Sequence, residues 1–133
     1  MNALTYINPC ILPELEHGLP PCPEMNEIER LYAALDEVTS ATNPRTAQLL
    51  ASGLRKKSQK IVEEAAEVAL ETVRKRPTAA IRESADLIYH LVVLWHECGI
   101  KPGQVWAEMR QRADTTGIAE KLPKRPGRRQ SST

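Results

Sequence analysis

A proline at position 77 separates two stretches that both read as helix, and this pair constrains the fold more than any other feature of the chain. Upstream lies "KIVEEAAEVALETV", Lys60 to Val73; downstream lies "RESADLIYHLVVLWHE", Arg82 to Glu97. Proline fixes φ and lacks a backbone N–H, so one helix stops near it and another starts beyond it. Two helices joined by so short a link pack as an antiparallel hairpin. Both also carry closely spaced acids. Like charges on adjacent turns repel unless water screens them or something positive sits among them.

The rest of the chain extends the helical reading. "EMNEIERLYAALDEV" sets Ile28, Leu31, Leu35 and Val38 at three- and four-residue steps, the spacing of an amphipathic first helix. It ends near "TSATNP", where Asn43 precedes Pro44. A second helix is expected from about Arg45 to Arg76, with Gly53 as a weak point where it can divide. Thr78 is the candidate cap of a third helix that runs to Glu97 or Cys98 and ends at Gly99. "KPGQVWAEMRQRADTTG" supplies a shorter fourth. There is no internal repeat and no convincing strand alternation, so the expected fold is an all-α bundle of four to five helices. It occupies one domain, residues 24–116. Residues 1–23 form a Pro-rich arm carrying Pro9, Pro13, Pro20, Pro21 and Pro23, and 117–133 a basic tail expected to be disordered.

With 133 residues, a single helical layer struggles to bury its own core, so a homodimer or higher homo-oligomer is expected. A formal net charge of +1 and the absence of phenylalanine do not point to a nucleic-acid partner. The tail cluster Lys121, Lys124, Arg125, Arg128 and Arg129 reads as a solubilising end. Cys10, Cys22 and Cys98 are odd in number and sparse, which argues against a secreted disulfide framework and for a reducing, cytoplasmic setting. Cys10, His17 and Cys22 lack the fourth ligand and the spacing of a zinc site. The opening residues have neither a basic nor an apolar signal region, and no segment has the apolar length of a bilayer span.

Turning about 100° per residue from Ile61 sorts the second helix into two arcs. Ile61, Val62, Ala65, Ala66, Val68, Ala69 and Val73 share one; Glu63, Glu64, Glu67 and Glu71 share the other. On the third helix Glu83, Asp86, His90 and Glu97 form a narrow stripe amid apolar residues, as on a helix largely enclosed by others. A glutamate run alone reads as a solvated face, with Lys60 and Glu64 spaced for an ordinary surface pair. Glu83 and Asp86 change that reading, because an unpaired carboxylate beside apolar surface costs several kcal/mol or takes up a proton. A hard divalent cation resolves the conflict. Glu64 with Glu67, and Glu83 with Asp86, would cage Mg²⁺ from facing helices, with Mn²⁺ as the substitute. The Glu-x-x-His pairs of a di-iron bundle are missing.

The pattern Glu63-Glu64-x-x-Glu67, a spacer, then Glu83-x-x-Asp86 resembles the MazG-like all-α nucleotide pyrophosphohydrolases. Within them it is most similar to the phosphoribosyl-ATP pyrophosphatases of histidine biosynthesis. The likeness runs from about Ile28 to Arg112 and takes in "IERLYAAL", "TAQLLASGLRKKSQKIVEEAAEV", "ESADLIYHLVVLW" and "GIKPGQVWAEMRQR". It departs at "NPRTAQLL", which keeps only Thr46 of the usual Ser-Tyr-Thr, and at Val62, where glycine is usual. The resemblance implies Mg²⁺-dependent cleavage of a nucleotide substrate, phosphoribosyl-ATP, to phosphoribosyl-AMP and pyrophosphate. A house-cleaning hydrolase of another nucleoside triphosphate is the alternative. It implies Glu64, Glu67, Glu83 and Asp86 as metal ligands, Glu63 as general base or outer-shell partner, and Lys56 and Lys60 as phosphate contacts. Two solvated lysines are as good an account of the last pair. His90 reads as a hydrogen-bonded core histidine, Tyr89 as packing, and Trp95 and Trp106 as fillers of helix or subunit contacts.

Overall fold

The computed structural model describes residues 26–121 and 123, and these form helices and connecting turns without strands. Helix α1 spans Glu27–Ala34 and tightens into a 3-10 turn at Leu35–Glu37; α2 spans Pro44–Ala51, α3 Leu54–Val73, α4 Pro77–Glu97 and α5 Pro102–Thr116. The Pro-rich arm, its Cys10, His17 and Cys22, and the tail residues Lys124, Arg125, Arg128 and Arg129 lie outside the described residues.

Local chemistry sets the boundaries. Asn26 caps α1, its Oδ1 accepting the Glu29 N–H at 3.0 Å, with Glu27 and Glu29 in the favourable first turn. Helices α2, α4 and α5 each begin on a proline, whose fixed φ suits a first turn and whose missing N–H would have no partner there. This displaces the expected cap of α4. Arg76 holds the cap position without a side-chain bond, and Thr78 lies inside the first turn. The long second helix divides at Ser52 and Gly53, both extended, so α2 turns away from α3. Helix α3 ends at Val73, before Arg76, because Lys75 takes a left-handed φ of 57°. The turn is held by the Arg76 N–H donating to the Glu71 carbonyl at 3.0 Å and by Arg74 on the Glu71 carboxylate at 3.0 Å.

Helices α3 and α4 form the antiparallel hairpin, and α1 and α5 pack near its open end. Among the described residues Leu35, Val92 and Val93 form the buried core cluster, with Ile28, Leu31, Tyr32 and Trp95 packed around them. Trp95 and Trp106 meet edge to face at 6.2 Å, and Trp106 Nε1 donates to Glu29 Oε1 at 3.3 Å, which seats α5 on α4 and α1.

The enclosure expected for α4 holds around Val92 and Val93 but fails nearer its start, where Ile81 is 70% exposed. The apolar arc of α3 is split: Ile61 and Val68 turn inward, while the rest lies outside, with Val62 70% and Val73 80% exposed. Helix α3 instead turns its acid-bearing strip toward α4: Lys57, Lys60, Ile61, Glu64, Val68 and Glu71 are the shielded positions, together with Glu63. A chain this small leaves one side of the hairpin without a covering helix.

Candidate active site

Burying the acidic strip of α3 against the first half of α4 brings together carboxylates from two helices. One oxygen each from Glu64, Glu83 and Asp86 lies within 4.8 Å of the other two. Glu67, one turn beyond Glu64, is exposed and outside that trio. It still neighbours Glu83: the proximity of the Glu67 carboxylate is the chief reason the Glu83 carboxyl is pushed above the usual range, with burial and the charges of Asp86 and Glu64 adding to it. Water reaches the exposed Asp86 and Glu67 and relieves part of this crowding, whereas Glu64 is only 13% exposed and gains least from it. Glu64, Glu83 and Asp86 offer the all-oxygen donor set that a hard divalent cation takes, with Glu67 one turn away, so these residues fit Mg²⁺.

Glu63 is not part of that cluster. Its two oxygens accept from Gln59 Nε2 and Lys60 Nζ, each at 2.9 Å. The hydrogen bond from Lys60 is the main cause that holds the Glu63 carboxyl below its ordinary range, and the same bond raises the Lys60 ammonium. The surface pair expected between Lys60 and Glu64 is thus formed with Glu63 instead, because Glu64 is turned toward α4.

Beside the acids opens a cleft of about 620 Å³. Helix α3 contributes Lys56, Lys60 and Glu64 to its wall, and α4 contributes Asp86, Tyr89 and His90. The opposite wall is α2, with Arg45, Thr46 and Gln48. Acids at one end and cations along the sides suit a polyphosphate chelated to a metal. The α2 wall escaped sequence reasoning except for Thr46. The signal was present: residues 45, 48 and 49 recur at helical spacing, and the Gly53 break is what folds them over α3.

Two readings of α4 need correction. His90 is not a hydrogen-bonded core residue: its Nδ1 is buried without a partner, and its Nε2 stands 3.7 Å from Glu64 Oε1, beyond hydrogen-bond range. Burial lowers its pKa, so the ring is neutral at neutral pH, although Glu64 opposes the shift. Tyr89 does more than pack, since its hydroxyl and the Thr46 hydroxyl lie 2.6 Å apart across the cleft wall.

A further residue was missed altogether. Lys57 is 1% exposed, and its ammonium donates to the Leu50 and Ser52 carbonyls at 2.9 and 2.8 Å and to Glu97 Oε2 at 2.9 Å. Lysine is rarely buried so fully unless paired, so nothing in composition or periodicity marked it out.

The model of the phosphoribosyl-ATP pyrophosphohydrolase family matches residues 28–113, the span that holds every element of the cleft. A protein named phosphoribosyl-ATP pyrophosphatase 2 from Rhodopseudomonas palustris is 49% identical over 105 residues, which cover 74% of this chain and 77% of that protein. Phosphoribosyl-ATP pyrophosphatase from Azospirillum brasilense is 44% identical over 97 residues, 71% of this chain and 86% of the relative. The enzyme of that name from Rhodospirillum rubrum is 36% identical over 122 residues, 92% and 99% of the two chains. No solved structure matches significantly. With a family model matching residues 28–113, well over half of the chain, and relatives alike over most of their length, the chain belongs to the phosphoribosyl-ATP pyrophosphohydrolase family, within the MazG-like all-α superfamily.

Proposed function

We propose that this protein hydrolyses the α-β phosphoanhydride of phosphoribosyl-ATP, giving phosphoribosyl-AMP and pyrophosphate, the second step of histidine biosynthesis. The observation that carries the reading is the convergence of Glu64, Glu83 and Asp86 oxygens within 4.8 Å, beside a cleft that Lys56, Lys60 and Arg45 line. Glu64, Glu67, Glu83 and Asp86 would hold Mg²⁺, or Mn²⁺ in its place. When bound, the cation supplies charge neutralisation for the phosphate oxygens and acidifies a nearby water.

The chain's own residues then position and balance charge, which is most of what phosphoryl transfer asks of a protein. Lys60 and Lys56 contact the polyphosphate. Glu63, kept ionised by Lys60 and Gln59, is better suited to orient the Lys60 ammonium than to take a proton, so we assign it the outer-shell role. The neutral His90 ring, with Nε2 3.7 Å from Glu64 Oε1, borders the acid cluster.

A second copy of the chain would cover the exposed apolar groove lined by Ile81, Ala85 and Ile88, making the working unit a homodimer. Among the described residues no helix is long and apolar enough to cross a membrane, and a cytoplasmic enzyme accords with that.

The test is pyrophosphate release from phosphoribosyl-ATP with Mg²⁺ present or chelated, run beside ATP and the deoxynucleoside triphosphates. Preference for phosphoribosyl-ATP with loss on chelation is expected. Preference for another triphosphate would replace the substrate assignment by the house-cleaning alternative, and no release from any would remove the hydrolase reading.

A further inference from the structure

We propose that Lys57 is a positioning residue for the cleft: by holding the C-terminal end of α2 against the end of α4, it fixes the wall through which Arg45, Thr46 and Gln48 meet the substrate.

Helix α2 is eight residues long and buries no side chain completely; Leu49 and Leu50 pack, partly buried, against the core. Such a short helix is marginal without further ties to the rest of the molecule. Besides that packing it has two polar ones. Near its start, the Thr46 hydroxyl is bonded to that of Tyr89 on α4 at 2.6 Å. At its end, the carbonyls of Leu50 and Ser52 accept from Lys57 Nζ at 2.9 and 2.8 Å.

The chemistry of the second tie is specific to an ammonium. The last carbonyls of a helix have no N–H partner within it, and they form the negative end of its dipole. A lysine head group carries three donors and one positive charge. Here all three donors are used, two on those carbonyls and one on Glu97, the last residue of α4, at 2.9 Å. Lys57 itself lies in the first turn of α3, one turn before Lys60 and about two before Glu64. Three helix ends therefore meet at one buried atom. An apolar residue of similar volume would fill the space, yet it would leave both carbonyls unpaired and α2 free to shift.

Loosening this wall weakens contacts that hold substrate equally before and during the reaction, and such losses appear in KM. The acids on α3 and α4 keep their places. Lys57→Met is accordingly expected to raise KM about tenfold while kcat stays within about twofold of wild type, with helicity unchanged. Amide hydrogen exchange across residues 44–51 should quicken in the same variant, relative to α3 and α4. Glu97→Gln opens no cavity and removes only the charge from the third partner; a KM rise of about threefold is expected from it.

The kinetic arm rests on the pyrophosphatase reading, whereas the exchange arm does not. If the wild-type protein turns over no nucleotide, that reading fails and the exchange measurement alone decides the role of Lys57. A folded Lys57→Met protein with unchanged KM, or unchanged exchange across 44–51, overturns the proposal. So does an unchanged KM in Glu97→Gln should Lys57→Met fail to fold.

Discussion

Thr46 and Tyr89 are 43 positions apart in sequence, and their hydroxyl oxygens lie 2.6 Å apart on the wall of the cleft. This bond joins α2 to α4 directly, in a partly buried setting where a lost partner is felt. Tyr89→Phe is expected to cost about 1 kcal/mol of stability, the usual size for such a bond. Thr46→Val should cost a similar amount, and the double variant less than the sum, because the two singles break the same interaction. Chemical denaturation of the four proteins measures the coupling, which should be close to zero if the bond does not form in solution.

The crowded acids make a prediction about pH. The raised Glu83 carboxyl binds its proton more tightly in the folded chain than in the unfolded one. Folded protein then holds more protons than unfolded protein over that window, so stability falls as pH rises from the ordinary carboxylate value through the raised one. Glu63 has the opposite sign: its lowered carboxyl contributes stability above the ordinary value, and this is lost as pH falls through the lowered one. The Glu83 effect therefore operates over the window that opens near pH 4.3, where ordinary glutamate titrates, and extends upward to its raised value. Metal-free protein should lose thermal stability over that range, and Glu83→Gln should abolish the loss. Thermal melts in the presence of a chelator provide the check.

The same substitution separates stability from activity. Glu83→Gln removes a like charge from the cluster and so should raise the melting midpoint of the metal-free protein by a few degrees at neutral pH. It should also abolish Mg²⁺-dependent pyrophosphate release. Glu67→Gln is expected to abolish release as well, with helicity unchanged. A glutamine variant at either position that retained turnover would remove that residue from the ligand set.

The exposed apolar side of the hairpin yields a prediction on assembly. Ile88, 41% exposed, lines a shallow groove with Ile81, Ala85 and Pro77. Ile88→Asp places a charge where a second copy would pack and should convert a dimer to a monomer in sedimentation velocity. A wild-type protein that sediments as a monomer at all concentrations would contradict the expected homodimer.

What the sequence disclosed follows from how local each feature is. The approach of Glu64 to Glu83 and Asp86 was legible because three-residue spacing and a proline-bounded hairpin are enough to bring them together, whereas Glu67 stays outside the trio. The outward apolar arc of α3 was not, because periodicity shows that a face is apolar but not whether its partner is the same chain or another. Lys57 was hidden for a different reason: only the turn at Ser52 and Gly53 creates the carbonyl cradle that lets a lysine be buried. His90 lay on the acidic stripe from the outset, yet the placement of its unpartnered Nδ1 depends on the three-dimensional packing of α4.

The most direct test of the account is anomalous diffraction from crystals grown with Mn²⁺. It predicts an anomalous peak between α3 and α4, ligated by oxygens of Glu64, Glu67, Glu83 and Asp86. Fully ordered carboxylates with no peak among them, in crystals of protein that is active with the same ion, would contradict it.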